Sequence, residues 1–269
     1  MNLLYAVFVG AMAASACHPR GSQVSINKPG WQLVWHDEFD QSGPPDPTRW
    51  SYEEGYVRNN EKQLYTRRLE NARVENGQLV LQARKGDLEG HAFTSASLHT
   101  KGKAEFTYGR IEVRAQLPFG RGVWPAIWTL GAPPHQRQQW PECGEIDLME
   151  YVGFEPNVIH TTIHTGAYNH VKGTHKSAHT KVDVDPTTTF NVYAIEWTPE
   201  RIDFFFNEQH VFTYANEHKT HAEWPYDDPE YILLSLAIGG NWGGQHGIDE
   251  SVFPQAMRVD YVRVWQRSR

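Results

Sequence analysis

Short strand-like runs separated by turn residues recur along the chain, and they constrain its fold more than any other feature. Examples are GQLVLQAR after Asn76-Gly77, YGRIEVRAQLP from Tyr108 and MRVDYVRVW from Met257. Such spacing is typical of an all-β sandwich or barrel. The sequence contains no long helical period and no internal repeat, and its 269 residues suit one large all-β domain.

Alternation within the runs predicts which faces are apolar. Between Tyr108 and Leu117 the apolar residues fall on every second position, namely Ile111, Val113, Ala115 and Leu117. In the run 122–131, Trp124 and Trp128 lie four positions apart and therefore point the same way. Two interpretations of this pair stay open: a stripe of the core, or an aromatic platform in a cleft.

The first 17 residues, MNLLYAVFVGAMAASAC, resemble an export signal. Their apolar stretch is followed by small residues, and it is too short to span a bilayer as a permanent anchor. The end of the segment also resembles a bacterial lipoprotein signal with Cys17 as the lipidated residue. Two departures are that no Lys or Arg precedes the apolar stretch and that Ala14 stands where Leu is usual. A wrongly assigned start is the alternative.

The sequence thus predicts a signal segment at 1–17, a linker rich in Gly, Ser, Asn and Pro at 18–30, and a single domain at 31–269. The protein is expected to be exported and to touch a membrane only through Cys17. No disulfide is expected once Cys17 is lipidated or removed, so stability must come from a hydrophobic core. A monomer is expected.

The composition narrows the class of ligand. A net charge of −7 argues against nucleic acid or an anionic membrane surface as the main partner. Aromatic residues make up 13% of the chain, with ten tryptophans, which exceeds what a core usually requires. A neutral ligand with apolar faces fits both observations.

The stretch CGEIDLMEYVG, residues 143–153, places three carboxylates inside an apolar run. On a regular strand Glu145 and Asp147 share one face and Glu150 falls on the other. A β-bulge near Leu148-Met149 would return Glu150 to the face of the other two acids, and bulges are over-represented next to active sites. The pattern therefore predicts a bulged strand with three acids on one face.

The turn GFEP at 153–156 predicts that residues 157–165 fold back as an antiparallel partner. The hairpin then sets Thr162 opposite Asp147, His164 opposite Glu145, and His160 near Glu150. Such a polar face belongs in a cleft. Two carboxylates that flank a bond are the usual apparatus of glycoside hydrolysis, and aromatic rings offer flat apolar faces to sugars.

Several separate stretches, in order from about Trp31 to Gln266, resemble the bacterial laminarinase-like members of glycoside hydrolase family 16. They include WHDEFD, NNEKQLYT, TSASLHTKGKAEFTYGRIEVRAQLPFGRGVWPAIWTLG, WPECGEIDLMEYVG, VIHTTIHTG and LAIGGNWGGQHG. The resemblance implies a β-jelly-roll sandwich of two antiparallel sheets with a concave substrate cleft. It also implies retaining endo-hydrolysis of β-1,3 links in β-glucans such as laminarin, without a catalytic cofactor.

Carried over by position, the resemblance implies that Glu145 is the nucleophile, Asp147 the assisting acid and Glu150 the acid/base, with Met149 as the inserted residue. The substrate-contacting positions are Asn59, Trp124, Trp128, His164 and Trp242. A calcium site of relatives maps to Glu38, the backbone of Gly77 and Asp260, and oxygen ligands suit that ion. Where many relatives have TSAR, this chain has TSAS, so Ser97 replaces a sugar-contacting arginine.

The alternatives within the enzymes are a mixed-linkage β-1,3-1,4-glucanase and a galactan hydrolase of agar or porphyran type. Outside the enzymes, a β-glucan-binding protein on the same fold would keep the tryptophans and lose a catalytic carboxylate. A purely structural jelly-roll protein would need neither.

Overall fold

The computed structural model describes residues 26–132 and 139–268. The predicted signal segment, Cys17 and the linker as far as residue 25 lie outside the described residues. Within them the chain forms seventeen strands, as follows: β1 Trp31–Asp37, β2 Ser51–Glu53, β3 Gln63–Tyr65, β4 Ala72–Glu75, β5 Gln78–Leu88, β6 His91–Ser95, β7 Ser97–His99, β8 Gly109–Gln116, β9 Val123–Gly131, β10 Glu145–Glu150, β11 Val158–His164, β12 Lys176–Lys181, β13 Asn191–Trp197, β14 Arg201–Phe206, β15 Gln209–Ala215, β16 Glu230–Ile238 and β17 Gln255–Arg267.

The strands form two sheets. A ten-stranded sheet runs β15-β14-β13-β8-β17-β5-β6-β3, with β1 paired to β17 and β4 to β5. A seven-stranded sheet runs β12-β11-β10-β9-β16-β7-β2. The pairs are antiparallel except for β3 with β6, which is parallel. The all-β, two-sheet jelly-roll sandwich predicted from the sequence is confirmed.

The core lies between the sheets, and the alternation in the sequence explains it. All four apolar residues of the run 108–117 are buried in one hydrophobic cluster, together with Ile146 and Leu148 of β10 from the other sheet. Each such side chain contributes roughly 1.5 to 3 kcal/mol when it is fully buried. Part of the tryptophan content is structural, since this core contains Trp50, Trp197 and Trp224.

Helices are short in the described parts of the chain. They comprise α1 at Gly240–Gly243 and two 3₁₀ turns, His170–Lys172 and Glu250–Val252. Between residues 26 and 132 and between 139 and 268, no helix has the length and apolar character needed to cross a membrane. Helix α1 follows β16 directly and carries Trp242 to the face of the seven-stranded sheet that points away from the core.

Candidate active site

Strand β10 lies in the middle of the seven-stranded sheet, between β9 and β11. Its register with β11 pairs Glu145 with His164, Asp147 with Thr162, and Glu150 with His160. The three pairs are those that the turn at 153–156 predicts. The hairpin therefore sets the acidic strand beside a strand of His and Thr, as expected from the sequence.

A bulge brings the third acid to the same face as the first two. The register shifts between Asp147 and Glu150, and the two residues between them, Leu148 and Met149, are both buried in the core. Against β9, Met149 pairs with Ile127, so Leu148 is the residue without a register partner there. The bulge itself is confirmed, while the assignment of Met149 as the inserted residue is wrong in the β9 register.

The outer face of this sheet forms a cleft of about 710 Å³. It is lined by the three acids and by all five residues predicted to contact substrate, namely Asn59, Trp124, Trp128, His164 and Trp242. It is also lined by residues that the sequence analysis missed, including Arg58, Trp140, His170, His175 and His179. The sequence contained an indication of two of these residues, because Arg58 directly precedes Asn59 and Trp140 stands in WPECGEID, just before the acidic strand.

Glu145 is held by an indole. The Nε1 of Trp140 donates to its Oε2 at 2.7 Å. Burial raises the pKa of Glu145, and hydrogen bonds from Asp147 and Trp140, with the nearby positive charge of Arg58, oppose that rise. Donors of this kind favour the ionised form. Glu145 is thus the acid of the three that this environment best equips to act as a carboxylate.

Asp147 has the opposite environment. Burial and the negative charges of Glu145 and Glu150 hold its pKa well above the usual range. The protonated carboxyl can then donate a hydrogen bond to Glu145, while its Oδ2 lies 3.5 Å from Nε2 of His164. Three carboxylates so close together cannot all ionise, and Asp147 keeps its proton.

Glu150 is also held by an indole, since Nε1 of Trp124 donates to its Oε1 at 3.1 Å. Burial and the negative charge of Glu145 raise the pKa of Glu150 to about 8, against the opposing hydrogen bond from Trp124. At neutral pH Glu150 therefore carries a proton that it can give away. A proton donor and a stabilised carboxylate face the same cleft, which is the apparatus of an acid/base and a nucleophile.

Two histidines of this face, His160 and His164, are uncharged near neutral pH. Burial, with the positive charges that His170 and His175 would carry, lowers the pKa of His164 to about 3. Burial and His179 lower the pKa of His160 to about 4. The imidazoles thus offer hydrogen bonds and ring faces rather than fixed positive charge.

Two of the predicted tryptophans form one end of the cleft. The rings of Trp124 and Trp242 meet edge to face with centroids 5.5 Å apart. Their approach depends on Gly243 in GGNWGG, because a Cβ there would lie 2.9 Å from Cβ of Trp124. Trp128 differs, since it is only 7% exposed and its Nε1 donates to Ser235 Oγ at 3.2 Å. It is part of the cleft floor.

Candidate metal ligands fall in two places. Among the described residues, Glu145, Asp147 and His164 form a group with ligand atoms within 4.8 Å of one another, and they are the residues of the cleft itself. At the predicted calcium position, both oxygens of Glu38 accept from Arg263 at 2.8 Å, and Asp260 accepts from Arg114 at 2.7 Å. A cation at Glu38 must therefore displace a guanidinium, and calcium at Glu38, Gly77 and Asp260 stays a prediction.

Comparison with known proteins identifies the family. The profile of the Glycosyl hydrolases family 16 matches residues 59–263. The chain belongs to this family. It is 50% identical over 263 residues to a β-glucanase of Rhodothermus marinus, and the alignment covers 93% of this chain and 90% of that protein. The crystal structure of the laminarinase from Rhodothermus marinus superposes with a TM-score of 0.85 at 47% identity, covering 89% of this chain and 98% of that one.

A more distant relative has a different activity. The keratan-sulfate endo-1,4-β-galactosidase of Sphingobacterium multivorum is 38% identical over 240 residues, covering 88% of this family 16 chain and 55% of the relative. Both relatives are glycosidases. The class of reaction is therefore shared between them, while the polysaccharide is not.

Proposed function

We propose that this protein is an endo-hydrolase that cleaves β-1,3-glucosidic linkages in β-glucans such as laminarin with retention of anomeric configuration. Glu145 is the nucleophile, Glu150 the acid/base and Asp147 the residue that modulates Glu145. The observation that carries the proposal is that one cleft face presents Glu145 and Glu150, each held by an indole N–H, with Asp147 protonated beside the nucleophile.

In the first step the Glu145 carboxylate attacks the anomeric carbon from one face of the sugar. The bond from that carbon to the glycosidic oxygen breaks, and Glu150 gives its proton to this oxygen, so that the leaving chain departs as an alcohol. A covalent glycosyl ester of Glu145 forms. Asp147 keeps its proton, which avoids a second negative charge against Glu145 before the attack.

Formation of the ester removes the negative charge of Glu145, which is one cause of the raised pKa of Glu150. The pKa of Glu150 therefore falls once the ester has formed, and Glu150 becomes a base. It takes a proton from water, the resulting hydroxide attacks the anomeric carbon, and the Glu145 ester bond breaks. Both glutamates return to their starting protonation states, and the two inversions give net retention.

The environment of the acids supports a neutral substrate. The cleft offers the rings of Trp124, Trp140 and Trp242 and the uncharged imidazoles of His160 and His164. Aromatic faces suit the apolar faces of glucose rings. The similarity to a laminarinase and a β-glucanase from Rhodothermus marinus favours a β-1,3-glucan over a sulfated galactan.

Three alternatives are separated by one substrate panel. A mixed-linkage glucanase degrades barley glucan or lichenan faster than laminarin, and a galactan hydrolase degrades agarose or keratan sulfate. A β-glucan-binding protein binds laminarin without cleaving it. We expect laminarin and curdlan to be cut to short oligosaccharides, mixed-linkage glucan to be cut more slowly, and sulfated chains to be left intact.

Variants of the two glutamates test the mechanism. We expect Glu145→Gln to abolish activity and Glu150→Ala to be partly rescued by azide, a nucleophile that needs no general base. The matched control is Glu89→Gln, which changes an exposed glutamate in the turn between β5 and β6. Proton NMR of the first product reads the stereochemistry, and an inverted anomer rejects the double displacement.

Three further features belong to this proposal. Export with lipidation at Cys17 predicts that Cys17→Ser moves the protein from the membrane fraction to the soluble fraction.

Calcium at Glu38, Gly77 and Asp260 predicts that EDTA lowers the melting temperature and that added Ca²⁺ restores it. A monomer predicts a mass of 30.9 kDa in light scattering when the full chain is expressed.

A further inference from the structure

A row of side chains crosses the cleft face of the seven-stranded sheet. Register pairs Glu150 with Ala126, Ala126 with Ser235, Ser235 with Ser97, and Ser97 with Glu53. Directly paired residues of neighbouring strands point to the same face of a sheet. Because Glu150, Ala126 and Ser235 line the cleft, Ser97 and Glu53 point to the cleft side as well.

Ser97 is nevertheless fully buried. Its hydroxyl donates to Oε2 of Glu53 at 2.7 Å, and the other oxygen of Glu53 accepts from Nη2 of Arg58. Arg58 lies in the turn before β3, outside the row. The short side chain of Ser97 thus leaves space on the cleft face in which Glu53 holds the guanidinium of Arg58.

The guanidinium lies inside the cleft. Its central carbon is 4.9 Å from the ring centroid of Trp128, and Arg58 lines the cleft beside Asn59. A guanidinium over an aromatic face is attracted by the ring and stays oriented. Because Arg58 covers Trp128, a sugar that passes over this part of the floor meets Arg58 before it meets the indole.

The charge of Arg58 is balanced where it lies. Glu53 pairs with it directly, and the negative charge of Glu61 also acts on it. A balanced guanidinium is a poor site for sulfate, but its N–H groups that are not bonded to Glu53, at most four of the five, can still donate to neutral hydroxyl groups.

We propose that Arg58 is a substrate-binding residue that donates hydrogen bonds to hydroxyl groups of the glucosyl unit above Trp128. Ser97 is its positioning residue and acts through Glu53. The proposal rests on the proposed function and names a further determinant of its substrate specificity. Arg58 then supplies the guanidinium that many relatives have at the position of Ser97.

The test compares Arg58→Gln with wild type on laminarin and on laminarihexaose. Loss of hydrogen bonds from a charged donor predicts a rise in KM of about tenfold or more, with a much smaller change in kcat. Ser97→Ala releases one oxygen of Glu53, so a smaller rise in KM is expected. The matched control is Arg67→Gln, which changes an exposed arginine paired with Glu54 and is expected to keep the wild-type KM.

A double variant, Arg58→Ser with Ser97→Arg, moves the guanidinium from the turn before β3 to position 97 in the row. We expect it to recover part of the affinity that Arg58→Ser alone loses, which a general loss of stability cannot produce. Melting temperatures of all variants confirm that they fold.

The outcomes separate the two proposals. If wild type does not cleave laminarin, the proposed function is wrong, and the role of Arg58 is rejected with it. If wild type cleaves laminarin but Arg58→Gln keeps the wild-type KM on both substrates, only the assignment of Arg58 is overturned.

Discussion

The indole nitrogen of Trp140 lies 2.7 Å from Oε2 of Glu145, at the opposite end of the acidic strand from the bond between Trp124 and Glu150. The two glutamates of the candidate mechanism are thus each held by a tryptophan from a different segment. Trp140 precedes β10, and Trp124 lies near the start of β9. In both cases the N–H stabilises the ionised carboxylate and opposes the rise in pKa that burial causes.

Replacing Trp140 by Phe keeps an aromatic ring and removes the donor to Glu145. The pKa of Glu145 then rises, because its charged form loses a hydrogen bond. Since the nucleophile must be ionised, we expect the acidic limb of the pH dependence of kcat/KM to move to higher pH. We also expect kcat/KM to fall on the order of tenfold. An unchanged acidic limb rejects the role of Trp140.

Replacing Trp124 by Phe acts on the other limb. Glu150 must be protonated to act as the acid, so activity falls as pH rises through its pKa of about 8. Loss of the Trp124 donor raises this pKa further, and the alkaline limb moves to higher pH. Initial rates on laminarin, measured from about pH 5 to about pH 10, cover both limbs of the pH dependence. A shift of the alkaline limb to lower pH contradicts the assignment.

Glu230 is a buried acid beneath the cleft, whose Oε2 accepts from the hydroxyl of Thr129. Burial and the negative charge of Glu145 raise its pKa from 4.5 to about 8, against the opposing hydrogen bond from Thr129. Between these two values the folded protein keeps a proton that the unfolded chain has lost. The free energy of unfolding therefore falls as pH rises through this window, by on the order of 3 to 5 kcal/mol in total.

Glu230→Gln keeps an acceptor for Thr129 and removes the titration. We expect the variant to be more stable than wild type above pH 8, with a shallower loss of stability between pH 5 and 8, in denaturant unfolding series. Glu89→Gln serves again as the exposed control. If Glu230→Gln follows the wild-type curve throughout, Glu230 is not protonated in the folded protein.

Of the three tryptophans predicted to contact substrate, Trp242 and Trp128 are expected to respond differently to substitution. Trp242 stands in the cleft, and Trp242→Ala should weaken substrate binding by roughly 1 to 3 kcal/mol, by analogy with bases stacked on aromatic side chains. Trp128 is almost fully buried, and Trp128→Ala leaves a cavity that costs about 3 to 5 kcal/mol of stability. KM values and melting temperatures separate the two. A large KM effect of Trp128→Ala at unchanged stability contradicts this division.

The sequence determined the local part of this arrangement. Period-2 alternation assigned the core face of β8, and the turn at 153–156 set the register of His164, Thr162 and His160 against the three acids. The misplacement of Glu150 by one position was enough to predict the bulge. Each of these follows from residues close together in the chain, where strand geometry leaves few choices.

Tertiary structure decided which distant residues join that strand. Trp140 reaches Glu145 from the segment before β10, Arg58 reaches Trp128 from the turn before β3, and Glu230 lies under the cleft at the start of β16. No periodicity links these positions. Arg58 and Glu230 are placed by the packing of strands far apart in the chain, and Trp140 is placed by the turn just before β10. The protonation states were decided at the same level. A carboxyl group acquires a raised or a stabilised pKa only when folding removes water from it and brings specific charges and donors within a few ångströms.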